Sequence, residues 1–187
     1  MPRRNDIETS LEFVRSLKDV ALESGASFAI LINPNDLFFD KRTELKCRTC
    51  KRYGKKALCP PNIPSMEYFE QVVRRYRFGI LVGIKRKSTS PEIGSESSIS
   101  LHKILLDLEE QSFMKGYVFA ISFIGGSCKH CTTEACEAPC KNPTCGRIPL
   151  EAIGVNVIDT CRQFNIEVEF PVEKTGIIWR IGLLLVM

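Results

Sequence analysis

Apolar residues recur at helical spacing between Ile7 and Glu23, at Leu11, Val14, Leu17 and Val20, and predict a first helix that Gly25 would end. Ser27 to Ile32 is a continuous apolar run that reads as a buried strand, closed by Asn33-Pro34-Asn35-Asp36. An irregular stretch follows. Ser65 has the side chain of an N-cap, and behind it Met66 to Tyr76 predicts an aromatic-rich helix leading into a strand at Phe78 to Ile84. Lys85 to Ser98 is polar, with Ser, Gly and Pro, and reads as a surface loop. A long amphipathic helix is expected from Ile99 to Lys115, ended by Gly116, then a third strand from Tyr117 to Ile124. Leu150 to Phe164 has a helical pattern. Ile166 to Phe170 and Ile177 to Val186 read as two strands, near enough to pair as an antiparallel hairpin.

This alternation predicts an α/β fold, a single domain over residues 1–187. Its mixed central sheet would be flanked by helices on both faces. Two cysteine-rich stretches follow predicted strands. If those strands are parallel neighbours, both loops emerge at one carboxyl edge of the sheet, where such folds place ligands. No internal repeat or low-complexity tract interrupts the pattern.

With 44% hydrophobic and 26% charged residues, the chain has the means to bury a core without cross-links. Nine cysteines therefore need another explanation. The start, Met1-Pro2-Arg3-Arg4-Asn5-Asp6, is charged with no apolar run behind it, and the longest apolar run, Ile177 to Met187, is too short for a membrane and carries Arg180. A cytoplasmic, reducing location is expected, in which clustered thiols serve metal or catalysis rather than disulfides. The formal charge of +4 is mild. Thiols lose their protons on binding metal, which would cancel it, so no nucleic-acid partner is expected and no membrane either.

The first cysteine group is C-x2-C-x8-C-P-P: Cys47, Cys50 and Cys59, then Pro60 and Pro61. The second is C-x2-C-x4-C-x3-C-x4-C: Cys128, Cys131, Cys136, Cys140 and Cys145. A two-residue gap lets a tight turn aim two thiolates at one centre while backbone N–H groups point at the sulfurs. The second group is similar to a bacterial ferredoxin run with a longer middle gap, which points to [4Fe–4S] chemistry. Three and five cysteines make two four-cysteine sites if one loop lends a ligand, with Cys59 or Cys145 as candidates for the exchange. The alternative is one complete cluster beside a three-cysteine cluster whose fourth iron faces a small molecule or solvent. Zinc competes, but prefers two well-separated pairs.

Cys161 stands apart in a helical pattern and reads as a buried structural thiol. His130 sits in a tight loop and is expected to point outward; His102 is expected at the surface or as a cap. Lys51, Arg52, Lys55 and Lys56 crowd the first loop, where they either offset cluster charge and dock an acidic partner or form a solvated loop. Tyr68, Phe69, Tyr76 and Phe78 read as core packing, and Gly125-Gly126 as the sharp bend leading to Cys128. No GxGxxG, P-loop, Ser-His-Asp set or radical-SAM cysteine motif is present.

Cys47-Arg48-Thr49-Cys50, Tyr53-Gly54-Lys55 and Cys59-Pro60-Pro61 resemble the motif of a family described as predicted metal-binding protein, domain of unknown function 2284. Gly125-Gly126-Ser127-Cys128, Cys131, Cys136, Cys140-Lys141-Asn142-Pro143, Pro149-Leu150-Glu151-Ala152, Gly154-Val155-Asn156-Val157 and Gly182-Leu183-Leu184-Leu185 extend the resemblance over roughly residues 25 to 187. It implies seven cysteine ligands, with Cys145 an addition in this sequence, and iron–sulfur metal binding of the kind found in anaerobic prokaryotes. It implies no established reaction. The expectation is one or two [4Fe–4S] clusters passing single electrons to a redox partner protein. The alternatives are a cluster-dependent enzyme or maturation factor with an open iron on Cys47, Cys50 and Cys59, and a zinc-stapled scaffold.

Overall fold

The computed structural model describes residues 4–131 and 136–187. Residues 1–3, at the head of the charged N-terminus, and 132–135, the gap between Cys131 and Cys136, lie outside the described residues. The first helix, α1 (Arg4–Glu23), completely buries Val14 and Leu17 of its predicted stripe, with Ala21 fully buried beside them and Leu11 and Val20 half-buried. Gly25, at φ +98°, ends it in the left-handed conformation, and Ala26 N–H closes back on the Ala21 carbonyl. Strand β1 (Phe28–Ile32) follows, then a 3-10 turn (Pro34–Asp36) and the short α2 (Arg42–Arg48). Helix α3 (Met66–Val73) starts at Ser65, whose Oγ accepts from Tyr68 N–H, and leads into β2 (Gly79–Lys87).

The long helix α4 (Pro91–Met114) begins eight residues before its predicted start, inside the expected loop 85–98. Its cap is Ser90, whose Oγ accepts from the Glu92 and Ile93 amides, with Pro91 in the first turn where its missing N–H costs nothing. Ser97, Ser98 and Ser112 return their hydroxyls to the carbonyls four residues back and so bury without orphaned donors. Strand β3 (Ile121–Phe123) is shorter than predicted, because Tyr117 is used to stack on Phe13 of α1 at 5.2 Å. A second 3-10 turn (Glu151–Ile153) is separated from α5 (Val157–Gln163) by Gly154 at φ +99°, which splits the predicted helix 150–164. Helix α6 (Val172–Thr175) and β4 (Ile177–Leu185) complete the order.

The sheet runs β1-β2-β4-β3, and every pair is antiparallel. That corrects the expected mixed sheet with parallel neighbours. The predicted hairpin of 166–170 with β4 is also absent: residues 166–170 form no strand, and β4 pairs with β2 along its whole length and with β3 at Leu183–Leu185. Ile166 and Val168 instead pack as side chains beneath the sheet. Helices do cover both faces. Val14, Leu17, Leu101, Leu105 and Leu108 of α1 and α4 close on Ile80, Val82, Ile84 and Leu184. On the other side Phe69, Val73, Ile153 and Cys161 close on Leu81, Ile181, Leu183 and Leu185. Each fully buried leucine contributes about 2 kcal/mol of apolar transfer.

Antiparallel order has a consequence for the cysteine loops. β1 and β3 run in opposite senses, so their carboxyl ends lie at opposite edges. The first loop meets the second only because residues 37–40 travel back along the segment after the second loop. Phe39 bridges to Val155, Asn156 N–H donates to the Phe38 carbonyl at 2.7 Å, and Asp40 N–H to the Gly154 carbonyl at 2.9 Å.

Candidate metal centre

Cys47 lies on the last turn of α2, not in an irregular stretch, and Cys50 follows on a turn whose amide donates to the Cys47 carbonyl at 3.0 Å. The chain then folds back on itself: Gly54, at φ +68°, donates its N–H to the Pro60 carbonyl at 2.9 Å, and Cys59 N–H donates to the Lys56 carbonyl at 3.1 Å. These turns put Cys47, Cys50 and Cys59 on the wall of one cavity of about 360 Å³. Burial pushes the Cys59 thiol up to about 11, and the neighbouring Cys47 and Cys50 add to the rise. Burial and Cys50 raise Cys47 as well. A central cation would relieve the opposition that Cys47 and Cys59 meet to their ionisation.

The second loop leaves β3 through Gly125-Gly126. A Cβ at Gly125 would stand 2.7 Å from the Ile181 carbonyl oxygen, and Gly126 has φ +73°, so the bend requires both glycines. Cys128 is buried against the α4 face of the core. Cys131 Sγ accepts from Asn142 Nδ2 at 3.1 Å, and Cys140 Sγ lies where Gly146 has no side chain. Cys136 belongs spatially to the first loop. Residues Lys56 and Cys136 form a parallel bridge, Ala57 N–H donates to the Cys136 carbonyl at 2.9 Å, and the Cys136 thiol is one of the charges that raise Cys59. Among the described residues, no three His, Cys, Asp or Glu side chains converge on one point suited to a metal ion.

The cavity also has charged walls. Arg52 sits by Cys59 and lowers its pKa against the other influences. Lys129 and Arg180 are both held below their ordinary values by burial. Glu151 opens to water on the cavity side, but the protein packed behind it raises its pKa, and Gly126 N–H donates to it at 3.3 Å. A larger cleft of about 910 Å³ adjoins, sharing Cys47, Cys50, Glu151 and Arg180 and reaching Trp179 and Asp159.

Cys161 is fully buried in α5, with its thiol pushed up to about 12 by burial, and His130 is exposed. His102 corrects the expected surface position. It is 4% exposed within α4, lies 6.0 Å ring to ring from His130, and its Nε2 has no hydrogen-bond partner among the described residues. Tyr68 is exposed rather than core, touching Phe69 edge-on. The residues missed by sequence reasoning are Glu151, Lys129 and Arg180. Arg180 left one signal, a charge inside an apolar run.

No curated protein and no solved structure matches this chain. Residues 30–186 match the family described as predicted metal-binding protein, domain of unknown function 2284, and the match spans both cysteine loops. The chain belongs to that family of predicted metal-binding proteins.

Proposed function

We propose that this is a cytoplasmic iron–sulfur protein that passes single electrons to a redox partner protein. The first cluster site would use Cys47, Cys50 and Cys59, with Cys136 lent by the second loop. The second would use Cys128, Cys131, Cys140 and Cys145. One observation carries the reading: three first-loop thiols share a cavity wall, and the backbone bridge at Lys56 holds Cys136 to the same loop. On this reading Cys136, rather than Cys59 or Cys145, would be the exchanged ligand.

A bound [4Fe–4S] cluster supplies a one-electron couple. The chain supplies the surroundings. Arg52 places positive charge by the thiols, which favours the thiolate form. Cys50 is exposed, with exposed Lys46, Arg48, Lys51 and Lys55 around it, a basic rim suited to an acidic electron carrier. Anaerobic reconstitution followed by iron, sulfide and zinc analysis tests the reading. About eight irons per chain are expected for two clusters, with fewer in Cys136→Ser. A colourless protein that takes up zinc alone would end it.

The cavity itself favours a second reading, an enzyme or maturation factor with an open iron on Cys47, Cys50 and Cys59. In that case Cys136→Ser keeps the full iron content.

A further inference from the structure

Among the described residues, two cations on the cavity wall, Lys129 and Arg180, form no salt bridge with a carboxylate. Arg180 projects from β4 toward α4, where small residues make room; a Cβ at Gly94 would stand 3.0 Å from Arg180 Nη2. Its Nε donates to Ser98 Oγ at 2.7 Å and to the Gly94 carbonyl at 3.2 Å, and Nη1 donates to the Trp179 carbonyl at 2.8 Å. Lys129 Nζ donates to the same Ser98 Oγ at 3.3 Å. One buried hydroxyl therefore draws two positive side chains together. Among the described residues neither forms a salt bridge, although six other cations do.

Half-buried like charges are costly unless an anion joins them. Glu151 lines the same cavity and offsets one of the two, leaving an excess positive charge. The first-loop thiols have their own cation in Arg52, which acts on Cys59; Lys129 feels the adjacent Cys128 and Glu151, and Arg180 feels Glu151. Arg180 and Glu151 also line the larger cleft, so Arg180 can be reached from that side as well.

We propose that Lys129 and Arg180 bind a small oxyanion, a carboxylate or phosphate group, whose remaining atoms fill the cavity beside Cys47, Cys50 and Cys59. The arrangement makes the cavity a ligand site in its own right. It rests on the cluster reading for what the anion faces, and not for the binding itself.

The test titrates reconstituted protein, exchanged into a chloride buffer of low ionic strength, with citrate and separately with phosphate by calorimetry. Iron and sulfide are counted on each sample. One saturable site is expected, weakened about tenfold or more in Lys129→Gln and in Arg180→Gln. Lys103→Gln, which removes an exposed cation of α4, should bind as the parent does. A response to citrate alone assigns a carboxylate, to phosphate alone a phosphate, and to both the shared oxyanion chemistry. No binding of either anion overturns the proposal, as does binding that both variants keep. Iron lost from Lys129→Gln at unchanged anion affinity also overturns it and returns that cation to the cluster. If circular dichroism shows Arg180→Gln unfolded, Lys129→Gln decides alone. Parent protein that holds no iron but binds the anion fails the cluster reading and leaves this one standing.

Discussion

Arg147 and Glu109 form a two-bond ion pair that fastens the end of the second cysteine loop to α4. Arg147 Nε meets Glu109 Oε2 at 2.9 Å and Nη2 meets Oε1 at 2.5 Å, with the two side chains only 14% and 16% exposed. The same carboxylate accepts from Ser122 N–H at 2.7 Å and Ser122 Oγ at 2.6 Å, while Arg147 Nη1 donates to the Thr144 and Gly146 carbonyls. Loop, helix and β3 thus share one clamp.

Removing one partner leaves the other charge buried and unpaired. Glu109→Ala should cost about 3–5 kcal/mol of stability in denaturant unfolding and lower the thermal midpoint by roughly 10 °C. Arg147→Lys keeps the charge but loses the planar fork, so its loss should be smaller. A Glu109→Ala protein as stable as the parent would show the clamp to be decorative.

The bend at Gly125 has no room for a methyl group. Gly125→Ala should cost about 1–3 kcal/mol, since the clash is with the Ile181 backbone rather than a movable side chain. Because Gly125 sets the path to Cys128, the variant should also retain less iron after desalting. Full stability together with full iron would refute the crowding argument.

Cys161 should be chemically silent. Its thiol is fully buried and pushed up to about 12, so little thiolate exists to react. Peptide mapping after iodoacetamide treatment of native, metal-free protein should find Cys50, which is exposed, modified well before Cys161. Denaturation should remove the difference.

Trp179, the one tryptophan, reports on Glu169. Its Nε1 donates to Glu169 Oε2 at 2.6 Å, and Lys85 pairs with Oε1 at 2.7 Å; both bonds hold the carboxyl below the usual glutamate range. The folded pKa is depressed, so the stabilisation is complete above the unfolded value of about 4.3 and is lost as pH falls through the lower folded value. Tryptophan emission should stay flat from neutrality to about pH 4.3 and change below it. Glu169→Gln should abolish that step; a step that persists assigns it to another group.

Local patterns were read well where packing repeats them. The stripe of α1, the Ser65 cap and the apolar run of β1 depend on neighbours a few residues away, and each was legible. Ser90-Pro91-Glu92 carried a helix start too, but the polar serines behind it looked like loop because their burial depends on β4 lying across Gly94 and Ser98. The direction of β4, and its pairing with β2 and β3 rather than with 166–170, are properties of the assembled sheet. Cysteine spacing divided the thiols into two groups. That Cys136 stands with Lys56 and Ala57 follows from a bridge between distant segments, which no spacing rule encodes.

β4, the last of the described strands, is also an inner one, paired with β2 along nine residues and with β3 along three. During synthesis β2 and β3 have no common partner until β4 has left the ribosome. Arg180 and the backbone against which Gly125 turns arrive with it. Every cysteine therefore emerges before the scaffold that shapes its loop, and the nascent chain carries its thiols unassembled. Delivery of metal should follow the emergence of β4 rather than accompany that of the cysteines.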